Sequence, residues 1–298
     1  MDVFLTILVD GTIYGAWLFL IAIGLTLVFG VMKILNVAHG ALYAIGAYAA
    51  ATLVGGNVIE EVAGFWALPL MLLGSILVAV ILGPFLEKFV LRLFYGRDEV
   101  VLLLVTFGVS LILEDVIRMI WGVFSQYVAA PYSLFGNVEM GPLYYVGYDF
   151  FVVALAVLVG VATSLFLSRT IMGKIVLAVI HDAEISRAMG VNVSRVYLYT
   201  FTFGVFLAAV AGAFTSPMLA VTPSIGVNAI ILSFAVVVIG GMGSIGGAAV
   251  GAALVGLSRA TAINFWPEAE LFVIYAVMAA VLLFRPQGLF GEPAQRRI

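Results

Sequence analysis

Between Arg195 and Arg259 the chain runs for 63 residues without one Asp, Glu, Lys or Arg. A membrane-spanning helix needs about 20 predominantly apolar residues, so this stretch has room for two long helices or three shorter ones. Four more uncharged stretches precede it: 22 residues between Asp10 and Lys33, 26 between Lys33 and Glu60, 25 between Glu61 and Glu87, and 19 between Asp149 and Arg169. With 64% of its residues apolar and 10% charged, against roughly 25% charged in soluble domains, the chain lacks the polar surface to cover itself in water. The expected fold is all-α, a polytopic transmembrane helical bundle forming one domain over 1–298. Continuous apolar runs, instead of short alternating segments, favour helices over a barrel.

The hydropathy pattern predicts eight or nine helices, some of them short or broken, near 9–32, 40–56, 64–86, 100–121, 149–168, 196–220, 226–241, 247–262 and 270–284. Eleven of the 13 basic residues fall in alternate connections, at Lys33, Lys88, Arg92, Arg97, Arg169, Lys174, Arg187, Arg195, Arg285, Arg296 and Arg297. The opposite connections carry Asp2, Asp10, Glu60, Glu61, Glu139, Asp149, Glu268 and Glu270, with Arg259 as their one basic residue. The positive-inside bias places the C-terminus in the cytoplasm and the N-terminus outside, after an odd number of crossings. Met1-Asp2 opens without a basic leader or cleavage site, so no cleavable signal is expected.

Several chemistries are excluded. There is no cysteine, hence no disulfide or thiolate metal site. The two histidines, His39 and His181, are too few and too far apart for a metal cluster. No G-x-x-x-x-G-K-[ST] loop is present to cradle ATP phosphates, and there is no nucleophile-elbow pattern with a plausible base nearby. The chain is read as a non-enzyme without cofactor, and nothing in it points to nucleic acid.

Two places interrupt the apolar helices, Asn36-Val-Ala-His-Gly40 and Gly240-Gly-Met-Gly-Ser-Ile-Gly-Gly247. Unwound backbone at membrane depth is tolerated only where it is buried in protein or lines a cavity, and freed helix ends can hold a zwitterion. The candidate path residues are therefore Asn36, His39, Gly40, Gly240, Gly241 and Gly243. The structural alternative is a pair of turns with close small-residue packing, since Gly243, Gly247 and Gly251 keep the four-residue spacing. A lone intramembrane histidine such as His39 more often bonds a neighbouring helix than a substrate carboxylate. Glu114, Asp115 and Arg118 are charges within a span, costly at about 2.5–3.5 kcal/mol each at the bilayer centre. Their i, i+3 and i, i+4 spacing lets them pair, a structural role.

Two connections are long. The acidic-side one, 122–148, runs from Gly122-Val-Phe-Ser-Gln-Tyr through Pro131, Gly141 and Pro142 to Tyr148, and reads as an interfacial cap or a docking face. The basic one, 169–195, carries a short helix signal: Asp182 as N-cap, Glu184 in the first turn, Arg187 in the last, and Gly190 beyond the end. Ile185, Ala188 and Met189 give it one apolar face, suited to a surface connector or to a peg for a partner protein.

The stretch Gly24-Leu-Thr-Leu-Val-Phe-Gly-Val-Met-Lys-Ile-Leu-Asn-Val-Ala-His-Gly40, followed by Gly46-Ala-Tyr48, resembles the N-terminal signature of permeases of the branched-chain amino acid ABC transporter family, LivH-type. Thr106-Phe-Gly-Val-Ser-Leu-Ile-Leu113, Gly240-Gly-Met-Gly-Ser-Ile-Gly-Gly247 and Arg285-Pro-Gln-Gly-Leu-Phe-Gly291 agree in order along the chain. Asp182-Ala-Glu-Ile-Ser-Arg-Ala-Met-Gly190 is similar to that family's coupling loop. The resemblance implies an importer for branched-chain or similar small amino acids in a bacterial or archaeal inner membrane. It further implies a second permease (LivM-like) or a second copy of this chain, two cytoplasmic ATPase subunits, and an extracytoplasmic binding protein. In that setting Asp182, Glu184, Ile185, Arg187, Met189 and Gly190 would couple to the ATPase. A secondary transporter or channel for small polar solutes is the alternative.

Overall fold

The computed structural model describes residues 2–55, 64–141 and 143–291. Glu60, Glu61, Pro142, Arg296 and Arg297 lie outside these, so the parts of the charge pattern that they carry are not placed. Eleven α-helices are described: α1 (Asp2–Met32), α2 (Ala38–Val54), α3 (Ala67–Phe89), α4 (Glu99–Trp121), α5 (Gly147–Arg169), α6 (Ile171–His181), α7 (Ala183–Ala188), α8 (Val193–Thr215), α9 (Ile225–Gly240), α10 (Ile245–Phe265) and α11 (Glu270–Phe284). One small hairpin, β1 (Asn137–Met140) with β2 (Leu143–Val146), pairs antiparallel with Glu139 opposite Tyr144.

The chain is a polytopic membrane bundle. Among the described residues, seven helical segments are long and apolar enough to cross a bilayer. The 63-residue stretch resolves into three helices, and the expected 196–220 helix ends earlier, at Thr215. At 17 and 16 residues, α2 and α9 rise only about 24–26 Å, short of a hydrocarbon core about 30 Å thick. α2 is packed inside the protein, and α9 is buried along most of its length, with Val227 and Ile231 exposed. Lipid-facing side chains sit instead on the outer helices, as with Val80 and Ile81 on α3, Ile112 on α4 and Leu158 on α5, all exposed.

Where the sequence predicts one short helix between 169 and 195, there are two. The run Ile171–Ile180 looks like a continuation of α5, but Thr170 takes an extended conformation and caps α6 by accepting a hydrogen bond from Gly173 N at 2.9 Å. Gly173 then lies on the backbone of Phe166 and Leu167, where a side chain would overlap Leu167 Cα. That contact folds α6 back on α5.

Central to the fold is the break between α1 and α2. Lys33 closes α1 in the left-handed region, at φ 55°, and residues 33–36 run without helical structure. Thr106, about two turns into α4, meets this segment. Its hydroxyl accepts from Val37 N at 3.2 Å, and its single proton is shared between Leu35 O at 3.1 Å and Leu103 O at 3.0 Å. Buried backbone polar groups must be paired, so this hydroxyl is what lets the chain unwind here. Thr106→Val keeps the shape and leaves Val37 N and Leu35 O without that partner. The expected cost is about 1–3 kcal/mol, read as a lowered melting temperature in detergent, with Thr106→Ser close to wild type. Equal stability of the Val and Ser variants would refute this role.

Candidate functional site

Three cavities line up along α1, α5 and α10. At the end of the bundle opposite Lys33, a vestibule of about 460 Å3 is lined by Asp10, Tyr14 and Trp17 of α1, Asp149 of α5, Arg259 of α10, and Tyr132 and Tyr145 from the long connection. Next to it lies a groove of about 520 Å3, walled by Gly11, Gly15 and Phe19 of α1, Val157 and Val161 of α5, and Ala249 and Ala253 of α10. The groove meets a third cavity of about 250 Å3 at two residues common to both, Ser164 and Ile245. Gly30, Ser168 and Gly243 line that lower chamber together with Leu27, Leu167, Leu177 and Ile180. A cavity with charges of both signs, an apolar groove beside it, and a chamber that carries two serines and two glycines among apolar side chains thus share α1, α5 and α10.

Helix geometry explains the arrangement. Asp10, Tyr14 and Trp17 stand at i, i+4 and i+7, on one face of α1. Gly11 and Gly15 occupy the neighbouring face, where α10 comes so close that a side chain on Gly15 would touch the Ala252 carbonyl at 3.0 Å. Arg259 is fixed by Glu270 of α11, its Nε donating to Oε1 at 2.7 Å, and its guanidinium lies 3.9 Å from the centre of the Tyr14 ring. Tyr145 faces Asp10; burial first, then the Asp10 carboxylate, pushes its phenol up to about 12. Burial and the Asp149 charge raise Tyr132 in the same direction. Both hydroxyls thus stay protonated as donors at neutral pH.

The two sequence-predicted breaks are not brought together at this path. Gly243 edges the lower chamber, against Gly30. Gly240 and Gly241 are covered by the chain's own tail: Leu289 N donates to Ile239 O and Phe290 N to Gly240 O, both at 2.9 Å, and Gly241 abuts Gly291. Gly247 and Gly251 serve close packing of α10 on α9. Asn36 is buried against Leu86, Thr106 and Phe201, on the side of α3, α4 and α8. His39, 1% exposed, bonds Ile21 O through Nε2 at 3.0 Å. A carbonyl only accepts, so Nε2 carries the proton, and Gly24 leaves the room that the ring needs. Asn36 Oδ1 and Nδ2 and His39 Nδ1 have no hydrogen-bond partner among the described residues. Gly40 abuts Gly226 of α9. On α4, Arg118 pairs with both Glu114 and Asp115.

At the basic end, α7 has the caps read from its sequence. Asp182 accepts from Glu184 N and Ile185 N, both at 2.8 Å, and Gly190 turns the chain at φ 89°. Ser186 is buried under the helix, whereas Ile185 and Met189, 62% and 79% exposed, face away from the protein with Glu184 and Arg187 beside them. The vestibule is what sequence reasoning missed. Asp10, Asp149 and Arg259 read as flanking charges of separate spans, and only the α1 spacing hinted at a common polar face.

The family described as "Branched-chain amino acid transport system / permease component" matches residues 7–282. The chain is 32% identical over 304 residues to the high-affinity branched-chain amino acid transport system permease protein BraD of Pseudomonas aeruginosa, covering 98% of this chain and 97% of the relative. It is 29% identical to the corresponding protein LivH of Salmonella typhimurium over 99% and 98% of the two chains. The probable branched-chain amino acid transport permease protein LivH of Methanocaldococcus jannaschii is 27% identical over 96% and 92%. No solved structure matches the chain significantly.

Proposed function

The chain belongs to the family of branched-chain amino acid transport system permease components, and from that membership we propose a path, a drive and an orientation for it. It is the membrane-spanning permease subunit of an ABC importer for branched-chain or similar small amino acids. The solute enters at the vestibule of Asp10, Asp149 and Arg259, passes the groove between α1, α5 and α10, and leaves at the chamber of Gly30, Ser164 and Gly243. The observation that carries this reading is that three cavities are lined by the same three helices, two of them meeting at Ser164 and Ile245. A second permease closes the open flank of the groove. Asn36, His39 and Gly40 join the path when the break at 33–37 opens, which gives their unpaired nitrogens and oxygen a partner. Gly240 and Gly241 let the α9–α10 turn shift against the tail at the same step.

ATP hydrolysis takes place on separate cytoplasmic subunits, which seat α7 through Ile185, Arg187 and Met189, with Asp182, Glu184 and Gly190 holding the helix in shape. The basic end is accordingly cytoplasmic, and the 122–148 connection faces an extracytoplasmic binding protein. The test is purification of the tagged chain from its own membrane with identification of what comes with it. An ATPase and a second permease should be recovered. Ile185→Asp with Met189→Asp, both at exposed positions, should reduce ATPase recovery about tenfold, as loss of two apolar anchors does, without affecting insertion. Unchanged recovery from that variant would remove α7 from the interface. Uptake that survives ATP depletion and collapses with the proton gradient would replace the reading by a secondary transporter.

A further inference from the structure

We propose that the vestibule is a selectivity mouth for the zwitterionic head of an α-amino acid, with Asp10 and Asp149 taking the ammonium and Arg259 the carboxylate. The inference rests on the permease reading and deepens it, by assigning recognition to this chain's own residues. Both charge signs line one cavity, two carboxylates from α1 and α5 and one guanidinium from α10. The remaining wall includes Ile13, Trp17, Met218 and Leu219, which suits an aliphatic substituent.

Hydrogen-bonding capacity points the same way. Asp149 Oδ1 is buried and lacks a hydrogen-bond partner among the described residues. A buried acceptor left unpaired costs about 1–3 kcal/mol, and an ammonium group brings three donors. Tyr132 and Tyr145 face Asp149 and Asp10 as protonated hydroxyls and do not add positive charge, so the ammonium is the cation that this side lacks. On the other side, Glu270 engages Nε and Nη2 of Arg259 through a single oxygen. The guanidinium has five N–H donors in a planar fork, so the edge formed by Nη1 and Nη2 remains for a second carboxylate in bidentate fashion. Stacking on Tyr14 holds the plane of that fork.

A solute lacking either charge leaves half of the mouth uncompensated. An amine without carboxylate adds a cation beside Arg259, and an acid without ammonium meets two carboxylates. Sites built on buried polar pairing reject such analogues strongly.

The chain contains no cysteine, so Leu219→Cys places a single thiol of this chain in the vestibule wall. The experiment follows its labelling by a fluorescent maleimide in the purified complex in lipid nanodiscs, with leucine, 3-methylbutylamine or 4-methylpentanoate added. Leucine at saturation should slow labelling about tenfold, and the two analogues less than about twofold. Asp10→Asn, which breaks no ion pair among the described residues, should abolish protection by leucine while labelling without ligand stays unchanged, and Arg259→Gln should abolish protection as well. Protection by all three compounds alike, or by none, would overturn the proposal, as would full protection by leucine in Asp10→Asn. Failure of the permease reading is separate, since it shows as a complex without ATPase whatever the thiol reports.

Discussion

Arg92→Ala will destabilise the protein by about 3–5 kcal/mol, and adding Glu87→Gln to it will restore most of that loss. Glu87 lies near the end of α3 with its side chain fully buried, and Arg92 reaches both of its carboxylate oxygens, at 3.0 and 3.2 Å. The Tyr95 hydroxyl donates to Oε1 at 2.9 Å; burial first, and then the neighbouring carboxylate, raise that phenol so that it remains a donor. A spacing of five residues would put Glu87 and Arg92 on different faces of a continuous helix. They meet because α3 stops at Val90 and tightens into the 3-10 turn Leu91–Phe94. Without Arg92 the carboxylate is a buried charge with one neutral donor, whereas a glutamine in its place needs no counter-ion. Without Glu87 the guanidinium, partly exposed, still reaches water. Thermal unfolding in detergent of the two single variants and the double variant measures the asymmetry. Equal loss in Arg92→Ala and in the double variant would show that the charge is not what the pair balances.

Gly40→Leu will yield little or no folded protein, with a penalty above about 3 kcal/mol, the upper end for overpacked cores. A Cβ at Gly40 would overlap the carbonyl oxygen of Gly226 and lie 2.8 Å from Ile230 Cβ. The obstacle is backbone on a buried helix, so no side-chain rotation relieves it. Close small-residue contacts of this kind supply dispersion packing where lipid provides no hydrophobic drive between helices. Gly108, in the middle of α4, is the control because nothing stands within 4 Å of an added Cβ. Gly108→Ala is expected to be neutral or to stabilise by up to about 1 kcal/mol. A Gly40→Leu chain that elutes and melts like wild type would contradict the packing read for α2 and α9.

Both results turn on features that the linear sequence carries unequally. The caps of α7 were legible because Asp182, Glu184 and Gly190 act on backbone within a few residues of themselves. The Arg118 pairs with Glu114 and Asp115 were legible because they stay on one helix face. α6 was not, since its apolar run continues that of α5 and the break depends on Thr170 and on Gly173 finding the α5 backbone. Glycine spacing announced close contacts but not with which helix. Gly243, read together with Gly247 and Gly251, packs on α1, and the other two pack on α9.

The sequence by itself determined the solvent, the helical class, the approximate spans, the basic end and the family, because each is a property of composition or of short-range order. Only the tertiary structure decided that α2 is a short buried helix and α9 a short, mostly buried one. It also decided that Thr106 pairs the break at 33–37 and that Asp10, Asp149 and Arg259 share a cavity while Asn36 and His39 face elsewhere. The physical reason is the bilayer. Where lipid is as apolar as the protein interior, hydrophobic periodicity no longer tells the inner face of a helix from the outer one. The choice of neighbour then rests on polar pairing and backbone proximity between residues distant in the chain.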